Sequence, residues 1–163
     1  MYLVRLFLVR ALFCLGFLTV VNTAQATQVL SVEIPDENLA KCLSKHISGK
    51  KIQSAAELIQ IKCHGKNIKQ LTGLEQFTNL TSISLFNNQL TEADFTSFKH
   101  LTFLNVSNNR LNAANISGLD KLETLYLFKN KLTYIDFSGL HNVKKVRITN
   151  NQLNNIDISP LIS

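Results

Sequence analysis

The chain has 163 residues, 45% of them hydrophobic and 17% charged, with a net charge of +6. That composition excludes a disordered chain, and the length suits one domain with a core rather than two. A modest positive excess tells little until its clustering is known. The sequence has no phosphate-binding glycine loop, no carboxylate pair at informative spacing and no basic-region or RNA-binding signature, so no nucleic-acid partner is expected.

Arg5 and Arg10 precede an apolar run over 11–21, and Ala24-Gln25-Ala26 follows as a small-x-small cleavage site. Residues 1–26 therefore read as a secretory signal peptide. The run falls short of the roughly 20 apolar residues a spanning helix needs, so no membrane span is expected after cleavage, and the protein is expected to be secreted or periplasmic. Phe13, just before Cys14, is too bulky for a lipoprotein cleavage site, so Cys14 leaves with the signal.

Residues 27–57 read as an N-terminal helical cap. Leu39, Cys42, Leu43 and Ile47 share one helical face, with Asp36 placed to cap the helix and Gly49 to end it. Ser54-Ala55-Ala56-Glu57 reads as a capping box opening a short turn. Cys63 falls on an inward position of the following strand. An even count of mature cysteines in a secreted chain predicts a disulfide between Cys42 and Cys63, closing a loop of about 22 residues and contributing on the order of 3 kcal/mol. Cys42, His46, Cys63 and His64 also offer the ligand types zinc prefers. Cys63 and His64 are neighbours on a strand and point to opposite faces, so the four do not converge and no metal is expected.

From Leu80 onward the chain repeats itself every 21 residues. Segments 80–90, 101–111, 122–132 and 143–153 fit L-x-x-L-x-L-x-x-N-x-L, with a weaker first copy at Leu58, Ile61, Cys63 and Ile68. This is the signature of a leucine-rich repeat, and residues 58–163 hold five of them. One repeat cannot bury its own apolar face, so the copies stack. The expected fold is an α/β solenoid: a right-handed curved superhelix with a parallel concave sheet and an N-terminal helical cap. Asn88, Asn109, Asn130 and Asn151 recur where the chain leaves each strand and read as a structural ladder that satisfies backbone groups at the bend. Asp94, Asn115, Asp136 and Asp157, each followed two residues later by Thr or Ser, read as tight-turn residues. One carboxylate per repeat supplies too few oxygens for calcium.

Ile34-Pro35-Asp36-Glu37-Asn38-Leu39, the stretch from Ile52 to Leu58, and the 22-residue first repeat ending in Leu71-Thr72-Gly73-Leu74-Glu75-Gln76-Phe77-Thr78-Asn79-Leu80 resemble secreted bacterial leucine-rich repeat proteins of the internalin type. The resemblance covers nearly all of the chain after residue 26. It implies a non-catalytic, extracytoplasmic protein that needs no cofactor and binds other proteins through its concave face.

The informative chemistry lies on the outward strand positions. Reading across repeats gives the rows Gln60-Ser82-Phe103-Thr124-Lys145, Lys62-Ser84-Asn105-Tyr126-Arg147 and His64-Phe86-Ser107-Phe128-Thr149. Phe86, Phe103, Tyr126 and Phe128 are thus expected to face solvent beside Lys145 and Arg147, the composition of a protein-binding hot spot. Strands and the turns after them carry Lys62, Lys66, Arg110, Lys129, Lys131, Lys144, Lys145 and Arg147 against Glu123 alone, whereas the returning segments are acidic on balance. A basic concave face predicts a protein partner with an acidic surface. The same face also suits an anionic glycan or envelope polymer. A hydrolase with an unrecognised site is a third reading, weakened because none of the four histidines pairs with a nucleophile in a known motif. Ser163 falls on the last position of the fifth repeat, so Val143, Val146, Ile148, Ile156, Ile158 and Leu161 are expected to lie uncovered and to favour self-association or fraying of the last repeat.

Overall fold

Leucine-type residues at alternate strand positions turn inward, and every coil then adds one short strand to a sheet shared with its neighbours. The computed structural model describes residues 33–162. The expected signal peptide 1–26 with its Cys14, the first cap residues 27–32 and Ser163 lie outside the described residues. The elements in chain order are α1 (Glu37–Gly49), β1 (Gln60–Lys62), β2 (Ser82–Ser84), β3 (Glu92–Asp94), β4 (Phe103–Asn105), β5 (Ala113–Asn115), β6 (Thr124–Tyr126) and β7 (Lys145–Arg147), with 3-10 turns at Ala55–Glu57, Leu74–Gln76 and Ser159–Leu161. Strands β1-β2-β4-β6-β7 form a parallel five-stranded sheet, and β3 and β5 pair in parallel within the returning segments.

The register is the one the repeat predicts. Gln60, Ser82, Phe103, Thr124 and Lys145 lie side by side, as do Lys62, Ser84, Asn105, Tyr126 and Arg147. Between these outward rows, Ile61, Ile83, Leu104 and Leu125 are fully buried and meet Phe77, Phe95, Phe98 and Phe137 from the returning segments. Fully burying each such side chain stabilises the fold by about 1.5–3 kcal/mol relative to leaving it exposed.

The asparagines do the structural work assigned to them. Asn88 Oδ1 accepts from the backbone N–H groups of Lys66 and Ile68 (2.9 and 3.1 Å), and its Nδ2 donates to the carbonyls of Cys63 and Leu85 (2.7 and 2.8 Å). Asn109, Asn130 and Asn151 each accept from a backbone N–H; Asn130 and Asn151 donate to two carbonyls, and Asn109 to those of Leu85, Val106 and Ser107. The residue before each of them adopts positive φ: Asn87, Asn108, Lys129 and Asn150, with Gly65 as the first-repeat counterpart. In the returning segments Asp94, Asp136 and Asp157 accept from the N–H and hydroxyl of Thr96, Ser138 and Ser159, which is the turn chemistry expected of them.

The cap is fastened at several points. Cys42 and Cys63 form the disulfide, with Cα atoms 5.9 Å apart. Asp36 caps α1 through Oδ1, which accepts from Asn38 and Leu39, while Oδ2 accepts from the N–H groups of Lys69 and Gln70 in the first repeat. Burial raises the Asp36 carboxyl pKa, but these four donors outweigh it and hold the group below the usual aspartate range. His46 Nε2 accepts from the Lys62 N–H at 3.0 Å, so the helix supplies the acceptor that a preceding coil would otherwise give β1. Gly73 has φ +91°, and a side chain there would run into the Glu33 carbonyl and the tip of Ile34.

Gly49 ends α1 as expected, and the left-handed position falls on Lys51 (φ 53°), two residues later. One local expectation is corrected. In the expected capping box, the Ser54 hydroxyl donates to the Glu57 carboxylate at 3.0 Å instead of accepting from the backbone, and Glu57 reaches back to the Gln53 N–H. The N–H that a true box would use, that of Glu57, is taken by the Ser54 carbonyl at 3.1 Å in the hydrogen bond that closes the 3-10 turn.

Candidate interaction face on the five-stranded sheet

Outward residues on adjacent strands stand about 5 Å apart, close enough for aromatic rings to meet. The six expected site residues form two groups. Phe103 and Tyr126 meet edge to face with centroids 5.9 Å apart, and Lys145 Nζ lies 5.5 Å from the Tyr126 ring. Phe86 and Phe128 meet at 6.3 Å, and the Arg147 guanidinium lies 4.6 Å from the Phe128 ring centroid.

These contacts correct one expectation. All four aromatics are half-buried instead of fully solvent-facing, because the rings cover one another and the cations cover the rings. Lys145 and Arg147 themselves are exposed. Each cation over a ring contributes about 0.5–1 kcal/mol at a site this wet, and it holds the charge at a fixed place on the face. Among the described residues Glu123 is the one acid on this side and is ion-paired to Lys144 at 3.1 Å, which leaves Lys145 and Arg147 without a carboxylate from that set.

Two residues outside the expected set belong to the face. His64 packs edge-on against Phe86 at 5.9 Å, and Ser107 lies between Phe86 and Phe128 in their row, fully buried. Both were visible in the outward rows; what the sequence lacked was any sign that neighbouring rings would lean over them. His64 Nε2 also lies 2.6 Å from Ser84 Oγ. The sheet offset brings these two residues, 20 apart in sequence, together outside any motif the sequence displays. Burial, and then the positive charge of Lys62, lower the His64 pKa, so its ring is neutral at pH 7 and shares a hydrogen bond with the Ser84 hydroxyl. Among the described residues no carboxylate is bonded to His64, and Ser84 itself is buried, so the pair lacks the orienting third group of a nucleophilic site.

The candidate metal ligands separate as their positions imply. Cys42, His46 and Cys63 have ligand atoms within 4.8 Å of one another, and His64 is not among them. Both sulfurs are bonded to each other, which removes the thiolates zinc would need. The opposite side of the molecule carries a shallow groove lined by Asp36, Glu37, Glu75, Glu92, Asp94 and one lysine, Lys69.

A parallel-strand solenoid of stacked coils, opened by a helix and bearing an asparagine ladder, defines the bacterial leucine-rich repeat class of internalin type. A family model described as the Endo-beta-N-acetylglucosaminidase EndoS LRR domain matches residues 34–151. The chain belongs to that family of leucine-rich repeat domains. The family takes its name from an endoglycosidase in which it is the repeat domain.

Solved structures with the same fold include the functional domain of InlJ from Listeria monocytogenes, 30% identical with a TM-score of 0.69 over 77% of this chain and 29% of that one. Internalin C2 from Listeria monocytogenes is 26% identical with a TM-score of 0.52, over 82% of this chain and 72% of that one. Internalin InlF of the same species is 18% identical with a TM-score of 0.52 and shows the fold alone; 78% of this chain covers 46% of it. The chain thus spans less than half the length of the InlJ and InlF chains. A search of the curated proteins finds no match. The internalin-like fold is consistent with a protein-binding module, and no helix among the described residues is long and apolar enough to cross a membrane.

Proposed function

We propose that this is a secreted or periplasmic protein-binding module without catalytic activity, which holds a partner with an acidic surface against the concave sheet. The observation that carries the reading is the coincidence on one face of two aromatic pairs with an exposed cation on each, Lys145 over Tyr126 and Arg147 over Phe128. Ring surface supplies contact area, the cations supply direction and encounter rate, and the paired Glu123 leaves the face basic. Five strands span roughly 20 Å, which suits a patch near or below the ~800 Å² per partner of a standard interface and a moderate affinity.

The same rings and cations would also serve an anionic glycan or envelope polymer. A pull-down with residues 27–163, repeated at high salt, separates the two readings, since a polymer held by charge is released by salt far more completely than a partner anchored on aromatics. With a partner in hand, Tyr126→Ala or Phe128→Ala should weaken binding by about 2 kcal/mol, and Arg147→Glu should mainly slow association. Glu92→Gln and Asp120→Asn, on the opposite side, should change nothing. Affinity that follows Glu92 and Asp120 but ignores Tyr126, Phe128 and Arg147 would overturn the reading.

A further inference from the structure

Ser107 sits in the middle of the row His64-Phe86-Ser107-Phe128-Thr149, with a phenylalanine on either side. Strands two apart stand roughly 9.6 Å from each other, yet the Phe86 and Phe128 ring centroids are 6.3 Å apart. The two rings therefore lean inward from both sides and close over the serine. Beneath them Ser107 is fully buried, and its Oγ is the one buried side-chain polar atom among the described residues without a hydrogen-bond partner. A hydroxyl so placed is a cost to the fold, and alanine would occupy the same space without it.

The surroundings say what the hydroxyl faces. The rings are half-exposed side chains at the surface of a rigid sheet, so turning them aside is a rotamer change that leaves the backbone in place. Once they part, Ser107 Oγ forms the floor of a slot between the two rings. Arg147, stacked 4.6 Å from the Phe128 ring, stands at its far wall. At the near wall, His64 is neutral and already engaged with Ser84. Among the described residues the only acid on this side, Glu123, is ion-paired to Lys144, so none of their carboxylates competes for the slot.

We propose that Phe86 and Phe128 form a clasp that opens to admit an acidic side chain of a protein partner, whose carboxylate accepts from Ser107 Oγ and pairs with Arg147 while its methylene stem lies between the rings. This deepens the reading of the face as a protein-binding surface and rests on it. Charge complementarity selects the occupant: the slot offers one hydroxyl donor and one guanidinium.

The test uses the full chain and a ten-residue glutamate peptide as probe, with a glutamine peptide and heparin as comparison ligands, in calorimetric titrations paired with urea unfolding. Ser107→Ala should be as stable as the parent or more so, and should bind the glutamate peptide about tenfold more weakly, as should Arg147→Gln. Glutamine peptide should not bind measurably. Ser107→Ala that binds like the parent, or that is clearly less stable, overturns the clasp. So does heparin binding that depends on Ser107 while the glutamate peptide fails to bind, because the slot then belongs to an anionic glycan. Tyr126→Ala distinguishes the two levels of failure. If it weakens the peptide and Ser107→Ala does not, the face stands and the clasp falls; if neither matters, both fall.

Discussion

The two ends of the solenoid place equivalent residues in opposite surroundings. Leu58, Ile61, Cys63 and Ile68 in the first coil are fully buried, whereas their counterparts Val143, Val146, Ile148 and Leu153 in the last described coil are only half-buried. Residue type does not explain this, since leucine and isoleucine occupy both sets. Neighbours do. The outer side of β1 is covered by α1, which brings a disulfide, the four backbone bonds of Asp36 and the His46 acceptor, while among the described residues none lies over β7. Ile156, Ile158 and Ile162 are consequently 42, 53 and 77% exposed. Burial in a stacked fold is a property of the pair of coils, not of the residue.

The sharpest way to break this comparison is to make one substitution at equivalent positions. Ile116 is 1% exposed and Ile158, two coils later, is 53% exposed. Ile116→Ala should cost about 3 kcal/mol in urea unfolding, and Ile158→Ala well under about 1 kcal/mol. Equal costs would mean that the last coil is covered in solution, for example by a second copy of the chain, and sedimentation of an Ile158→Lys variant would reveal it. Opening the disulfide at the other end should remove on the order of 3 kcal/mol. Melting with and without reductant measures it, and an unchanged midpoint would show that the cap holds without the bond.

Asp36→Ala should cost about 2 kcal/mol, because it removes an N-cap and the link to the first repeat together. Its pH dependence has a definite sign. The folded pKa lies below the ordinary aspartate value, so the stabilisation is complete above that value and is lost as pH falls through the lowered one. Acid titration of unfolding should therefore be steeper for the parent than for Asp36→Ala, and parallel curves would refute the assignment. The smallest effect concerns the row of left-handed residues. Lys129 holds φ +55° where its counterparts are Gly65, Asn87, Asn108 and Asn150, so Lys129→Gly should stabilise by about 0.5–1 kcal/mol. A loss of stability would mean that the lysine side chain contributes more than its backbone costs.

The coil period, the strand register and the asparagine ladder were legible in the sequence because each is fixed by spacing alone. The disulfide was legible for a related reason, since Cys63 falls on an inward position that a capping helix must cover. The pairing of β3 with β5 was not. Glu92-Ala93-Asp94 and Ala113-Ala114-Asn115 have poor strand composition, and they pair because the stack already holds them at strand separation. The face was legible only as rows. Alternation says which side a residue takes, but not that Phe86 and Phe128 bend over Ser107, nor that His64 reaches diagonally to Ser84. Those outcomes depend on rotamers chosen between neighbouring coils, which a one-dimensional pattern does not encode.

At the centre of the account is the choice of face. Hydroxyl-radical footprinting of the protein, alone and with a captured partner, reads it directly, since aromatic side chains are oxidised in proportion to their exposure. Phe86, Phe103, Tyr126 and Phe128 should become protected together, while Tyr134, which is 68% exposed and outside both aromatic pairs, should be oxidised as before. Protection of Tyr134 with the four sheet aromatics unchanged would place the partner elsewhere and contradict the account.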